Sequence, residues 1–423
     1  MVASTSVKPF ARTVAAGAVL LVAALAPAPA SSARAFPPAI LATSASVAAF
    51  ACPAEPIPPI AETPWPQRRY DLAAVRELSD GAGVTVAVID SGVDASHPQL
   101  AGAVVAGIDR LGRGDDGRAD CVGHGTAVAS IIAGRPMPGV SFHGLAPAAT
   151  ILPVRVSERV ETDGTISGEG NISDLAAGIR AAVASRPRPA VMNLSISTTA
   201  DHPELRAAIR EALAADIVVV AAVGNQHERG DPAPYPASYD GVVGVGAIDE
   251  TGQRLAQSQV GSYVDIVAPG GQVLAAAPGD GHLPVTGTSF AVPYVAATAA
   301  LIRSRYPSLS RTEVVARLLA TADPAPGPRP SPQYGYGVLN PLRALAEVVP
   351  GPGAGVAPAE EPVILGPDPA PITPAPSTAV TLGAASMLVL AAAAVAAVAA
   401  AVPLGRRRRW RPDGRDFSVH SRQ

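Results

Sequence analysis

Three side chains of this chain could together cleave an acyl bond: Asp90, His124 and Ser289. A serine hydroxyl is a weak nucleophile at neutral pH, so Ser289 needs a base within hydrogen-bond reach to take its proton as it attacks a carbonyl. The imidazole of His124 titrates near neutrality and can be that base. Only one ring nitrogen can face the serine, so a buried carboxylate must hold the other N–H and stabilise the imidazolium; Asp90 suits that role. The fourth requirement is a donor for the oxygen that turns negative in the tetrahedral intermediate. Asn225, which follows Val223 and Gly224, offers a side-chain amide, and Ser289 offers its own backbone N–H. Taken singly, each residue has a plainer reading: a turn or cap for Asp90, loops for His124 and Asn225, a helix N-cap for Gly287-Thr288-Ser289. In this order, and in matching strand and helix contexts, they read as one site. Asp94, His97 and the remaining histidines read as turn or surface groups.

The elements that must position these residues are legible nearby. Asp90 directly follows residues 84–89, a β-branched run of the kind that forms a buried parallel strand, and the sites of open α/β sheets lie at the carboxyl ends of such strands. His124 and Ser289 open small-residue helical stretches at 127–133 and 291–302, which places both at helix N-termini. Further strands are expected at 150–156, 190–194, 217–222, 242–247 and 264–268. Helices are expected at 172–184, 203–214, 289–304 and 310–320, the last opened by the capping box Ser310-Arg311-Thr312-Glu313. Alternating strands and helices predict an α/β fold: a doubly wound, mostly parallel sheet flanked by helices.

Composition sets the surroundings. With 423 residues, 48% hydrophobic and 16% charged, the chain can bury a large core, while 44 Pro and 40 Gly imply long non-helical connections. A net charge of −3 gives no reason to expect nucleic acid. Lys8 and Arg12, the apolar stretch 14–25 and then Ala28-Pro29-Ala30 or Ala33-Arg34-Ala35 read as a secretory signal over 1–35, with a retained anchor as the alternative. Residues 379–404 carry no charge and are followed at once by Arg406 to Arg409, which predicts one C-terminal transmembrane helix. The tail 405–423, with seven Arg against two Asp, then stays in the cytoplasm. The expected product is a single-pass plasma-membrane protein whose catalytic part is extracytoplasmic. Between span and domain, residues 349–378 are rich in Pro, Gly and Ala and form an extended tether that cannot build a core. An N-terminal extension over 36–66 and a catalytic domain over 67–348 complete the division. The two cysteines, Cys52 and Cys121, both lie on the exported side. An oxidising compartment favours a disulfide between them, worth about 4 kcal/mol on the loop-entropy account, and two buried free thiols are the alternative. No EF-hand-type set of acidic ligands is present, so neither metal nor cofactor is expected.

From about Trp65 to about Val348 these motifs resemble the subtilisin-type serine proteases. In that comparison Ser195, Ile196 and Ser197, within the stretch 191–197, resemble the family's edge segment, whose backbone pairs with an extended substrate beside Gly224. The stretch 335–340 resembles its closing motif. Two departures stand out: Ser197 and Pro234 occupy positions where the family usually has Gly, the second at the floor of the primary specificity pocket. The signal, the cysteine-bearing extension, Asp120-Cys121-Val122-Gly123-His124, the tether and the span together resemble the mycosins, membrane proteases of actinobacterial type VII secretion systems. That resemblance implies cleavage of secreted protein substrates at the cell envelope, partners among the components of a type VII secretion membrane complex, and an extension that wraps the domain. Two alternatives are a structural stabiliser of the secretion complex with dispensable proteolysis, and a general protease degrading surface proteins.

Overall fold

The computed structural model describes residues 62–158, 160–162, 165–167 and 169–349. The expected signal, Cys52, the expected membrane span and the basic tail lie outside them. The chain enters through two short helices, α1 (Trp65–Tyr70) and α2 (Leu72–Leu78), and passes into strand β1 (Thr85–Asp90). Trp65 fixes this entry, since its buried indole N–H donates to the Gly271 carbonyl at 3.0 Å, far along the chain. After β1 come β2 (Ile108–Asp109), helix α3 (His124–Ala133), β3 (Thr150–Arg155), the small hairpin β4 (Val160–Thr162) and β5 (Thr165–Ser167), and helix α4 (Ile172–Ala184). The second half runs β6 (Val191–Leu194), α5 (Pro203–Ala214), β7 (Val218–Ala222), β8 (Val243–Ile248) and β9 (Ile266–Pro269). An antiparallel hairpin, β10 (Val273–Ala276) with β11 (His282–Val285), then leads into the long helix α6 (Thr288–Arg305). Helices α7 (Arg311–Ala320) and α8 (Pro341–Ala346) close the domain.

Seven strands form one sheet in the order β2-β3-β1-β6-β7-β8-β9, and every pairing within it is parallel. Strands β6 to β9 are buried along their whole length, as a parallel sheet covered on both faces requires, and this is why their sequences are unbroken apolar runs. Helix α6 packs against β6, β7, β8, β9 and α3, and every residue from Ala291 to Ile302 is buried. A helix apolar on all sides can only be a central one.

The strand order decides where a site can form. From β1 the chain turns through α3 to β3 on one side, whereas from β6 it turns through α5 to β7 on the other. Neighbouring strands whose connections part in this way leave a crevice at their carboxyl ends. Asp90 ends β1 and Ser195 follows β6, so both stand at that crevice.

Helices α4 and α5 span the predicted ranges, and the expected strands fall within two residues of the observed ones. The capping box is complete, with Ser310 and Glu313 each satisfying the other's backbone N–H. One expectation needs correcting: residues 191–194 form an interior strand paired on both sides, so only Ser195 onward is free to meet a substrate. Among the described residues, no helix is long and apolar enough to cross a membrane.

Candidate active site

Asp90 closes β1 with its side chain only 3% exposed. One oxygen, Oδ1, accepts the His124 Nδ1–H at 2.7 Å and the Ser91 N–H at 2.8 Å. The other, Oδ2, is buried without a partner among the described residues. A carboxylate held this way fixes both the orientation and the tautomer of the imidazole, leaving Nε2 as the basic nitrogen. His124 is the first residue of α3, and the glycines beside it are there for space. A Cβ at Gly125 would lie 2.0 Å from the Gly92 carbonyl, and Gly123 adopts φ +85° directly against Pro278 of the β10–β11 turn.

Burial works against a charged His124, but the charge and hydrogen bond of Asp90, with Asp120 behind it, outweigh burial and raise its pKa above the ordinary value. Because 30% of the imidazole side chain remains exposed, solvent moderates that rise. Asp120 itself is buried and ringed by donors. Its Oδ1 accepts from Ser91 Oγ (2.9 Å) and the Gly123 N–H (2.8 Å), and its Oδ2 from the Thr126 N–H (2.8 Å) and Oγ1 (2.6 Å). Ser91 Oγ also receives the Gly125 N–H at 3.0 Å, so the end of β1 and the first turn of α3 are stitched together. Burial raises the pKa of Asp120, while these hydrogen bonds act in the opposite sense. Behind Ser91 lies the buried guanidinium of Arg155, which donates from Nε to the Ser91 carbonyl and forks onto Asp115.

Ser289 is the second residue of α6, where the backbone N–H has no partner within the helix. Its Oγ donates to the Ser195 carbonyl at 3.1 Å. Asn225 follows β7 and is exposed, and its Oδ1 accepts the Thr288 N–H at 3.0 Å. That bond assigns the amide: the oxygen is occupied, so Nδ2 is the group left to donate beside Gly287 and the Ser289 N–H. The two donors thus stand at the same helix end, as an oxyanion site needs. The ring of Phe290 lies 5.1 Å from that of His124.

A cleft of about 530 Å³ opens beside Asp90 and His124. Its lining includes Asp90, His124, Ser195 to Thr199, Val156, Ile172 and Leu175. Within that lining, Thr198 pairs with Tyr235 through two backbone hydrogen bonds of 2.8 and 2.7 Å. Gly224, at φ +89°, is pressed against Gln259, whose Oε1 would sit 2.2 Å from a Cβ there. Gln259 is buried and its Nε2 donates to the Pro232 carbonyl at 2.6 Å, so its side chain, with Ser197, borders the space beside Gly224.

Every residue proposed from sequence that falls within the described region is gathered here: Asp90, His124, Ser289, Asn225, Gly224 and Ser195 to Ser197. Cys121 lies three residues before His124, and Cys52 falls outside the described residues. Asp120, Ser91 and Gln259 were given no role from sequence. Four-residue spacing to His124 was the one available signal for Asp120. The reading of His97 as a turn or surface group holds for the turn and fails for the surface: His97 is buried, and so is His282, which lies in β11. Burial lowers the pKa of both, that of His282 to about 4. Folding covers His97, which sits in the turn after Asp94, with the β10–β11 hairpin, and its Nε2 faces the Gly281 carbonyl at 3.3 Å.

Comparison with known proteins bears on this geometry. The profile of the subtilase family matches residues 81–337. Mycosin-1 of Mycobacterium tuberculosis is 35% identical over 375 residues, covering 77% of this chain and 83% of its own. Subtilisin DY of Bacillus licheniformis is 37% identical over 262 residues, 62% of this chain and 90% of its own. Among solved structures, the MycP3 protease from the type VII (ESX-3) secretion system matches with a TM-score of 0.59 and 33% identity, covering 69% of this chain and 90% of that one. MycP1 from Mycobacterium smegmatis matches with a TM-score of 0.60 and 29% identity, covering 71% and 90%.

Proposed function

The chain belongs to the subtilase family and is a mycosin-like serine protease, and on that premise we propose that it is a membrane-anchored endopeptidase serving a type VII secretion system from the outer side of the plasma membrane. One observation carries the catalytic assignment: His124 Nδ1 is bound to a buried Asp90 at 2.7 Å on a cleft that Ser195 also lines, and the Ser195 carbonyl accepts from the Ser289 Oγ at 3.1 Å. A substrate strand lies along Ser195 to Ser197 and pairs with their backbone. Ser289 Oγ turns from the Ser195 carbonyl toward His124 Nε2, gives up its proton and attacks the peptide carbonyl. Asn225 Nδ2 and the Ser289 N–H receive the developing oxyanion. His124 then passes the proton to the departing amine, and water repeats the sequence on the acyl-enzyme.

Placement at the membrane rests on the uncharged stretch 379–404 and the arginines after it. A strap from Cys52 to Cys121 is supported by the absence of a free cysteine among the described residues, and would hold the extension beside His124. Service to a secretion complex rests on the mycosin relatives, three of whose solved structures are described as coming from type VII secretion systems. Peptide hydrolysis tests the catalytic assignment: Ser289→Ala should lower kcat by about 10⁶, His124→Ala by a similar factor, and the double variant by no more, because such residues act as a unit. Wild-type turnover in pure Ser289→Ala protein overturns it. Deletion of the protein set beside Ser289→Ala in cells separates the enzyme from the scaffold. Loss of the secretion complex only on deletion shows a second, non-catalytic role.

A further inference from the structure

Helix α6 contains a proline, Pro293, four residues after Ser289. A residue at that place normally donates its N–H to the carbonyl of Ser289, and proline has no N–H to give. The Ser289 carbonyl therefore needs another donor, since it lies at a crowded helix start. Ser195 supplies it: its Oγ donates to the Ser289 carbonyl at 2.7 Å, while Ser289 Oγ donates back to the Ser195 carbonyl at 3.1 Å. Ser195 is itself held from below. Asn193, two residues earlier in β6 and fully buried, donates from Nδ2 to Ser195 Oγ at 2.9 Å, and its Oδ1 has no partner among the described residues. Asn193, Ser195 and Ser289 thus form a chain of hydrogen bonds from the sheet to the backbone of the nucleophile.

We infer that the Ser195 hydroxyl is a positioning residue for the nucleophile: it replaces the helix hydrogen bond that Pro293 removes and so sets where Ser289 presents its Oγ and its N–H. The inference rests on the reading of Ser289 as the nucleophile. It differs from the substrate-pairing role of the same segment, which uses the backbone of Ser195 and not its side chain. Ser195→Ala leaves that backbone in place and removes only the donor, so the loss falls on the chemical step.

Steady-state kinetics on the full-length chain in detergent, with one peptide substrate, test this. Ser195→Ala is expected to lower kcat about tenfold with KM unchanged, the scale of one lost hydrogen bond. Ser195→Thr, which keeps the hydroxyl, is expected to retain most of kcat. The distinguishing arm is Pro293→Ala, which returns an N–H to the helix: in that background Ser195→Ala is expected to cost nothing further. Equal losses from Ser195→Ala in both backgrounds, a rise in KM with kcat intact, or no change at all would each overturn the inference. Absence of hydrolysis by the wild-type chain would instead overturn the endopeptidase reading on which it rests.

Discussion

Two histidine sites lie on either side of the β10–β11 turn, and chemistry separates them. At His124 the partners are carboxylates: Asp90 binds Nδ1 directly and Asp120 stands behind, so the protonated ring is favoured despite burial. At His97 and His282 the partners are neutral: a carbonyl, a backbone N–H on His97 Nδ1, and the side-chain oxygen of Gln99 on His282 Nε2. Those two rings meet edge to face at 5.6 Å, with Phe142 against His282. Burial is the largest influence on both rings and outweighs the carboxylates that favour a cation, Asp94 and Asp280 for His97 and Asp280 for His282, so the neutral form wins. The first site can receive a proton during a reaction; the second is built to stay neutral and hold the hairpin. Residue type alone says nothing about which is which.

Removing the partner that distinguishes the two sites should have the largest effect. Asp90→Asn keeps the shape but presents an amide to Nδ1, which favours the wrong tautomer, and kcat should fall by about 10⁴ while the fold persists. Kinetics with circular dichroism check this, and a loss of only a few fold would make Asp90 a minor partner.

The neutral pair should show itself in stability. A histidine whose folded pKa is depressed contributes stability that is complete above its unfolded value of 6.5 and is lost as pH falls toward the folded value of about 4. For His282 alone the loss across that window is about 3 kcal/mol. His124 has the opposite sign: its raised pKa contributes stability at low pH that disappears as pH rises through it. Urea titrations from neutral to acid pH should show the loss, and His282→Gln should flatten it. An unchanged slope in that variant would place acid sensitivity elsewhere.

A smaller effect should come from Asp120. Asp120→Asn removes a negative charge behind His124, so the acid limb of kcat/KM should move to lower pH. Because an amide cannot accept all four donors, kcat should also drop, by about tenfold. A limb that stays in place would mean that Asp120 acts through geometry alone. The smallest expected change is far from both sites: Ser310→Ala at the capping box of α7 should cost about 1 kcal/mol and leave both pH dependences as they are.

Much of this was legible in the sequence, for identifiable reasons. Strands such as Val218–Ala222 announce themselves because burial on both faces demands an unbroken apolar run, and α4 and α5 because an amphipathic period survives without its surroundings. Asp90, His124 and Ser289 could be proposed together because the chemistry of a triad restricts residue type and its geometry restricts the flanking residues. Contacts between distant segments were not legible. Asp120 gains its role only when Ser91 arrives from the end of β1, and His282 is buried only because Gln99 and Phe142 close over it. The short pair β10 and β11 carries no period of its own, and the neighbourhood of Ser195 and Pro293 is set by the approach of α6 to β6.

The central claim is that Ser289 is a nucleophile activated by His124, and covalent labelling tests it most directly. The full-length chain treated with a phosphonofluoridate, then digested and mapped by mass spectrometry, should carry one adduct, on Ser289, and His124→Ala should react far more slowly. An adduct on a different serine, or labelling of Ser289 at the wild-type rate in His124→Ala, would contradict the account.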